Sequence, residues 1–244
     1  MDLLLNCDLG ETANSDQLRI ESQVMPQIDQ ANIACGFHAG NPLVMDKTLL
    51  LAKEHLVAVG AHPSYPDKFN FGRQSMSMAA SDLIACLRYQ ISALEKAANN
   101  HELCVSYIKP HGALYNDMMQ NGHLRSAVMA AVADSQTSST LMIQATPEAE
   151  LHRQEASAFG LRLYFEAFAD RAYQDDGTLV PRQQSGAVLN REKMLSQVKQ
   201  LKQNGSVTTI NGNRLPLNAD TLCVHSDSPE AVAEIHQIRH ILVS

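Results

Sequence analysis

Tryptophan is absent from this 244-residue chain, and aromatic residues make up only 5% of it. That scarcity argues against a carbohydrate platform or a single-strand groove, since bases in such grooves stack on aromatic side chains. Basic residues are the minority as well: 19 Lys and Arg stand against 26 Asp and Glu, for a net charge of -7. Nucleic-acid binding usually needs a basic face, so no nucleic-acid partner is expected. An anionic small molecule remains compatible, because local charge at a cleft can oppose the net charge.

The five cysteines, Cys7, Cys35, Cys86, Cys104 and Cys223, form no C-x-x-C pair. Their number is odd and several lie in apolar runs, which reads as buried reduced thiols of a cytosolic protein. Cys35, three residues before His38, is the one candidate nucleophile among them. No apolar segment reaches bilayer-spanning length. The N-terminus lacks a basic n-region, and its apolar run is too short for a signal peptide. The chain is therefore expected to be soluble and cytoplasmic, with no membrane contact. Three nucleotide and acyl-transfer signatures are missing: G-x-x-x-x-G-K-[ST], G-x-G-x-x-G and G-x-S-x-G. What remains is hydrolysis of, or addition to, a polar small molecule by acid–base work.

No low-complexity linker or fixed-period repeat divides the sequence. With 45% hydrophobic and 18% charged residues it can bury a full core, and residues 1–244 read as a single domain. Apolar strand-like runs at residues 3–7, 31–35, 56–61, 104–108, 141–143, 161–165 and 221–224 alternate with helical patterns. The helices include one opened by Pro42, one opened by Ser81 or Asp82, one over 124–132, one over 191–203 and one opened by Pro229. Residues 207–217 suggest a hairpin with a type I′ turn at Asn211-Gly212. Residues 167–185 read as a long functional loop. The alternation predicts a parallel sheet. About seven such strands favour a closed β/α barrel over an open doubly wound sheet, which would give the same alternation.

Short polar clusters sit at the downstream ends of six of these segments. They are Asn6-Cys7-Asp8-Leu9-Gly10-Glu11, Ala34-Cys35-Gly36-Phe37-His38-Ala39-Gly40, Gly60-Ala61-His62-Pro63, Ile108-Lys109-Pro110-His111-Gly112, Glu166-Ala167-Phe168-Ala169-Asp170-Arg171 and Cys223-Val224-His225-Ser226-Asp227. In a β/α barrel the reacting side chains project from the C-terminal strand ends, so these clusters are expected to meet at one mouth.

Asp8, His38, His62, Lys109 and His111 are the candidate catalytic residues. Asp8 and Glu11 could divide into base and acid, while either could instead cap the next helix. Asp8, His38 and His62 could bind a divalent metal that activates water, or form a hydrogen-bonded trio without one. Lys109 could hold a carboxylate, stabilise an oxyanion or act as a base. Tyr115, Asn116 and Asp117 are placed on the same rim. Glu11, Arg73, Glu166, Asp170, Arg182 and His225 are the candidate substrate contacts. Arg73 is an anion clamp or a solvated Arg, and Asp170 with Arg171 could be a loop-ordering salt bridge.

Segments 5–11, 32–42, 60–67, 71–73, 109–117, 166–173, 179–182 and 224–227 together resemble the LamB/YcsF family over nearly the whole chain. The resemblance implies a seven-stranded β/α (TIM-like) barrel of the glycoside hydrolase/deacetylase type. It implies the A component of a 5-oxoprolinase, which opens 5-oxo-L-proline (pyroglutamate) to L-glutamate at the expense of ATP and works with partner subunits B and C. Because this chain shows no phosphate loop, ATP would be held largely by the partners or at a nonstandard site. Asn41 and Ser226 depart from the family, which commonly has Asp and Gly there. The residues alone leave open a stand-alone metal-dependent deacetylase or amidohydrolase, and a non-catalytic subunit that presents substrate. A homo-oligomer is compatible with all three.

Overall fold

A computed structural model describes residues 3–12, 15–136, 138–224 and 229–243. Seven parallel strands close into a barrel. In order around it they are β1 (Leu4–Leu9), β2 (Gln30–Ala34), β3 (Ala58–His62), β4 (Val105–Ile108), β5 (Thr140–Gln144), β6 (Arg162–Phe168) and β9 (Thr221–Val224). The sheet closes where β9 pairs with both β1 and β6, Asn6 opposite Cys223 and Glu166 opposite Thr221. A short antiparallel hairpin, β7 (Ser206–Thr208) with β8 (Arg214–Pro216), stands apart from the barrel.

The first two strands alternate between two environments. Leu5, Cys7 and Leu9 of β1 and Ala31 and Ile33 of β2 join the apolar core beneath the surrounding helices. The positions between them carry polar groups: Asn6 and Asp8 on β1, Gln30 and Asn32 on β2. Those groups bond across the barrel. Asn6 donates to Thr221 Oγ1 (2.9 Å), the Thr221 hydroxyl donates to Gln30 Oε1 (2.7 Å), and Asn32 donates to Asn6 Oδ1 (2.8 Å). Tyr107 on β4 donates to Asn32 Oδ1 at 2.7 Å, passing the intervening strand β3. It can pass because residue 60 is glycine: a Cβ there would sit 2.2 Å from the Tyr107 ring. A buried polar group is costly unless bonded, and this lumen meets that condition by bonding its amides and hydroxyls to one another.

Four details of the expected pattern change, and a helix outside that pattern, α1 (Ser15–Val24), lies between β1 and β2. The helix α2 (Pro42–Glu54) starts at Pro42 as expected. The helix α3 (Ala80–Asn100) follows Ala79, which makes no side-chain cap, so neither Ser81 nor Asp82 opens it; Asp82 lies in its first turn instead. Residues 112–120 form the helix α4 (Gly112–Gln120), for which the pattern predicts no helix, so Tyr115, Asn116 and Asp117 are held on a helix directly after β4. The stretch read as a loop from 167 begins inside β6, and bridges Arg171–Val188 and Tyr173–Leu179 then fold it back on itself. The hairpin is present, but Gly212 alone of its turn residues has positive φ (+85°). A type I′ turn needs two such residues. Here Gly212 N–H bonds Thr209 O and Thr209 N–H bonds Asn213 O, closing a three-residue loop.

Asn41 takes the N-cap of α2 and accepts from the amides of Leu43 (3.0 Å) and Val44 (3.1 Å). The departure at this position therefore keeps the cap that an Asp would provide. Asn41→Ala is expected to lower the unfolding free energy by about 1 kcal/mol, and Asn41→Asp to leave it within about 0.5 kcal/mol. Urea unfolding followed by circular dichroism checks both.

Candidate active site

Five strand ends, those of β1, β3, β4, β5 and β6, and the loops after them converge on a cavity of about 380 Å³. Asp8 and Glu11 come from β1 and its loop, His62 ends β3, and Lys109 and His111 follow β4. All five line the cavity. Arg73 enters from the loop after β3, with Arg171 and Arg182 from the loop after β6. The cavity thus has an acid–imidazole floor and an arginine rim.

Lys109 organises the floor. Its ammonium is buried and lies 2.8 Å from both Asp8 Oδ1 and Glu166 Oε1. Its Nζ also stands 3.4 Å from Asn6 Oδ1 and 3.4 Å from Cys223 Sγ. Burial works against its charge, but the two carboxylates outweigh that effect and hold its pKa well above the usual lysine value. Lys109 is therefore a cation fixed between two anions. As a cation it has no lone pair with which to accept a proton, and it contacts Asp8 Oδ1 directly. Asn32 donates to the same Asp8 oxygen at 2.7 Å, while Oδ2 faces His62 Nε2 at 3.4 Å.

Glu166 is fully buried behind Lys109 and accepts a second hydrogen bond from the Tyr115 hydroxyl at 2.7 Å. It supports Lys109 rather than lining the cavity. Burial, reinforced by Glu166, raises the Tyr115 phenol well above its ordinary pKa and keeps it a donor.

Three imidazoles stand side by side. His62 Nδ1 lies 2.7 Å from the backbone oxygen of Lys109, which accepts only from an N–H, so the proton sits on Nδ1. His111 Nε2 lies 2.9 Å from Phe71 O and carries its proton there for the same reason. His38 is 1% exposed and stacks on His111, centroids 3.8 Å apart and planes 5° from parallel. Burial first, and then the neighbouring His62, lower the pKa of both His38 and His111, so both rings are neutral. The loop 71–73 closes over them because residue 72 is glycine. Its φ is +64°, and a Cβ there would lie 2.9 Å from His38 Cβ and 3.0 Å from His111 Cδ2.

The expected residues divide as follows. Asp8, Glu11, His62, Arg73, Lys109, His111 and Arg182 line the cavity. His38 lies just beneath it. Asp170 is set back, its backbone oxygen accepting from Leu189 at 2.8 Å, and Arg171 turns to Val180 O at 2.7 Å while lining the cavity. His225, Ser226 and Asp227 fall outside the described residues. The expected metal trio is replaced by a tighter group: donor atoms of Glu11, His38, His62 and His111 lie within 4.8 Å of one another, and Asp8 stands beside them bonded to Lys109. Cys35 is buried, and burial raises its thiol to about 12, which disfavours the thiolate a nucleophile would need. Asn6, Asn32 and Tyr107 are absent from the residues expected at the site. Their signal in the sequence is a polar residue alternating with apolar ones inside a strand.

A closed seven-stranded parallel barrel with its acids, imidazoles and a buried cation gathered at the C-terminal strand ends belongs to the β/α-barrel proteins built for small-molecule chemistry. The sequence profile of the LamB/YcsF family matches residues 3–244, and the chain belongs to that family. Relatives include the 5-oxoprolinase A subunit of Vibrio campbellii, 47% identical over 98% of this chain and 95% of the relative. The 5-oxoprolinase A subunit of Pseudomonas fluorescens is 46% identical over 98% and 96%. The crystal structure of a lactam utilization protein from Thermus thermophilus superimposes with a TM-score of 0.89 at 34% identity, covering 100% of this chain and 96% of that one. No helix among the described residues is long and apolar enough to cross a membrane.

Removing one partner of a buried charge pair leaves the other charge uncompensated. Lys109→Met is therefore expected to destabilise the fold by about 3–5 kcal/mol, read by urea unfolding. Iodoacetamide at neutral pH should alkylate exposed Cys104 and leave Cys35 unmodified in the native protein; mass spectrometry showing Cys35 modified first would contradict its burial.

Proposed function

We propose that this chain is the A component of a cytoplasmic 5-oxoprolinase, opening 5-oxo-L-proline to L-glutamate with ATP and partner subunits B and C. The observation that carries the reading is the site itself: one carboxylate held by a buried ammonium, aimed across a small cavity whose rim bears three arginines. Relatives named as 5-oxoprolinase A subunits over almost their full length and a structural relative named for lactam utilization support the substrate class.

The chemistry follows from the lactam. Its amide carbon is a poor electrophile, and transfer of the γ-phosphoryl group of ATP to the amide oxygen activates it. Water then adds to that carbon, Asp8 Oδ2 accepting its proton. The ring C–N bond breaks, the nitrogen takes up a proton, and γ-glutamyl phosphate forms. A second water releases phosphate and leaves L-glutamate. This chain contributes the substrate cavity, the base and the anion clamp: Arg73 and Arg182 face the substrate carboxylate or the phosphoryl group. The partners contribute the site for ATP, since this sequence carries no phosphate loop.

Asp8 is fixed for this task by two donors on Oδ1, the Lys109 ammonium and the Asn32 amide. Preorganisation of that kind is what makes a positioned base effective. The imidazole–carboxylate cluster favours a second reading, a metal-dependent amidohydrolase that needs neither ATP nor partners.

Glutamate release from 5-oxoproline, measured with this chain, ATP and both partner subunits, separates the readings. Turnover should require all four components, and Asp8→Asn should lower kcat at least about 100-fold. Lactam opening by this chain alone without ATP would favour the amidohydrolase. Near-normal turnover of Asp8→Asn in the full assembly would remove this residue from the chemistry.

A further inference from the structure

The two hydrogen bonds that fix the imidazole protons create a conflict in the middle. Singly protonated, with the proton on Nδ1, His62 presents a lone pair on Nε2. With its proton on Nε2, neutral His111 presents a lone pair on Nδ1. Those two atoms face each other at 2.9 Å, a hydrogen-bond distance with no hydrogen to share. Turning either ring over would break its bond to a buried carbonyl, Lys109 O or Phe71 O. The pair is complete only when something positive sits between the two nitrogens.

The surroundings point the same way. Glu11 Oε1 lies 3.7 Å from His111 Nδ1 and 3.5 Å from His38 Nε2. His38 is 1% exposed, and neither of its ring nitrogens has a hydrogen-bond partner. A buried imidazole bonded to nothing is rare enough to require an explanation.

We infer that His62 Nε2, His111 Nδ1, Glu11 Oε1 and His38 Nε2 are the ligands of a divalent transition-metal ion. Four ligands at about 2.0–2.1 Å from a tetrahedral ion stand about 3.3 Å apart; three of the six separations here, 2.9, 3.5 and 3.7 Å, bracket that value, and all six are within 4.8 Å. Three imidazoles with one carboxylate suit zinc, cobalt or iron rather than magnesium or calcium. The carbonyls of Lys109 and Phe71 hold the outer N–H groups as outer-shell partners do in built metal sites. One adjustment is needed. His38 and His111 lie parallel, so their in-plane lone pairs do not yet converge, and the His38 ring must tilt. It has no hydrogen bond to lose by tilting.

The inference concerns ion binding and stands whichever substrate the cavity takes. The competing occupant is a proton shared between His62 and His111. The two are separated by titrating chelator-stripped protein with Zn²⁺ by calorimetry and with Co²⁺ by visible absorption. Saturation at one ion per chain is expected, with cobalt ligand-field bands in the visible. His62→Ala and His111→Ala should each weaken Zn²⁺ by at least about 100-fold, the upper end of what losing an outer-shell partner does. His101→Ala, which removes an imidazole paired with Asp46 at the surface, should leave affinity unchanged. Glu11→Gln, at the partly open edge of the cluster, is the check if a histidine variant misfolds by circular dichroism, and it should weaken binding by at least about 10-fold. No saturable binding near one equivalent would overturn the inference in favour of the shared proton. Full affinity in folded His111→Ala or Glu11→Gln would overturn this ligand set.

Discussion

A single ammonium between two carboxylates holds the end of this barrel together. Lys109 follows β4, while Asp8 belongs to β1 and Glu166 to β6, so one side chain ties three separated strands across the lumen. At distances of 2.8 Å and out of water, such contacts are far stronger than surface pairs, but each charge also loses its hydration. The arrangement tolerates that cost because every member has further partners: Asn32 and Asn6 on one side, Tyr115 on the other. The polar column below, from Gln30 and Thr221 through Asn6 to Asn32, extends the same logic down the barrel. A polar lumen gives up some of the packing energy of an apolar one. In return it holds a carboxylate in one orientation at the mouth.

Much of this is readable in the chain because strands and chemistry leave different marks on a sequence. An apolar run that stops at Asp8, His62 or Lys109 announces both a buried strand and a residue that must face something other than oil. The seven runs fall within a few residues of the observed strands, and their alternation with helices marks a parallel sheet, though an open sheet would alternate in the same way. Family resemblance supplies the rest of the fold.

Where the placement of a residue departs from the expectation, partners distant in sequence decide it. Glu166 looks like a substrate contact, since nothing near it in the chain shows that Lys109 and Tyr115 enclose it. Asp8 looks like a metal ligand beside His38 and His62 until Lys109 claims one of its oxygens. Ring tautomers are invisible for a deeper reason. The atoms that set them, the backbone oxygens of Lys109 and Phe71, are present in every residue and so are marked by no letter. Residues 112–120 escape notice as a helix because Gly112 opens it, directly beneath the turn at Gly72.

The phenol of Tyr107 has an architectural effect beyond its bond to Asn32. Lying across the barrel in the space that Gly60 vacates, it acts as a stopper below Asp8 and Lys109. The chamber above it opens at a rim lined by Arg73, Arg171 and Arg182. A protein seated on that rim would cover the chamber and shield whatever it holds from bulk solvent.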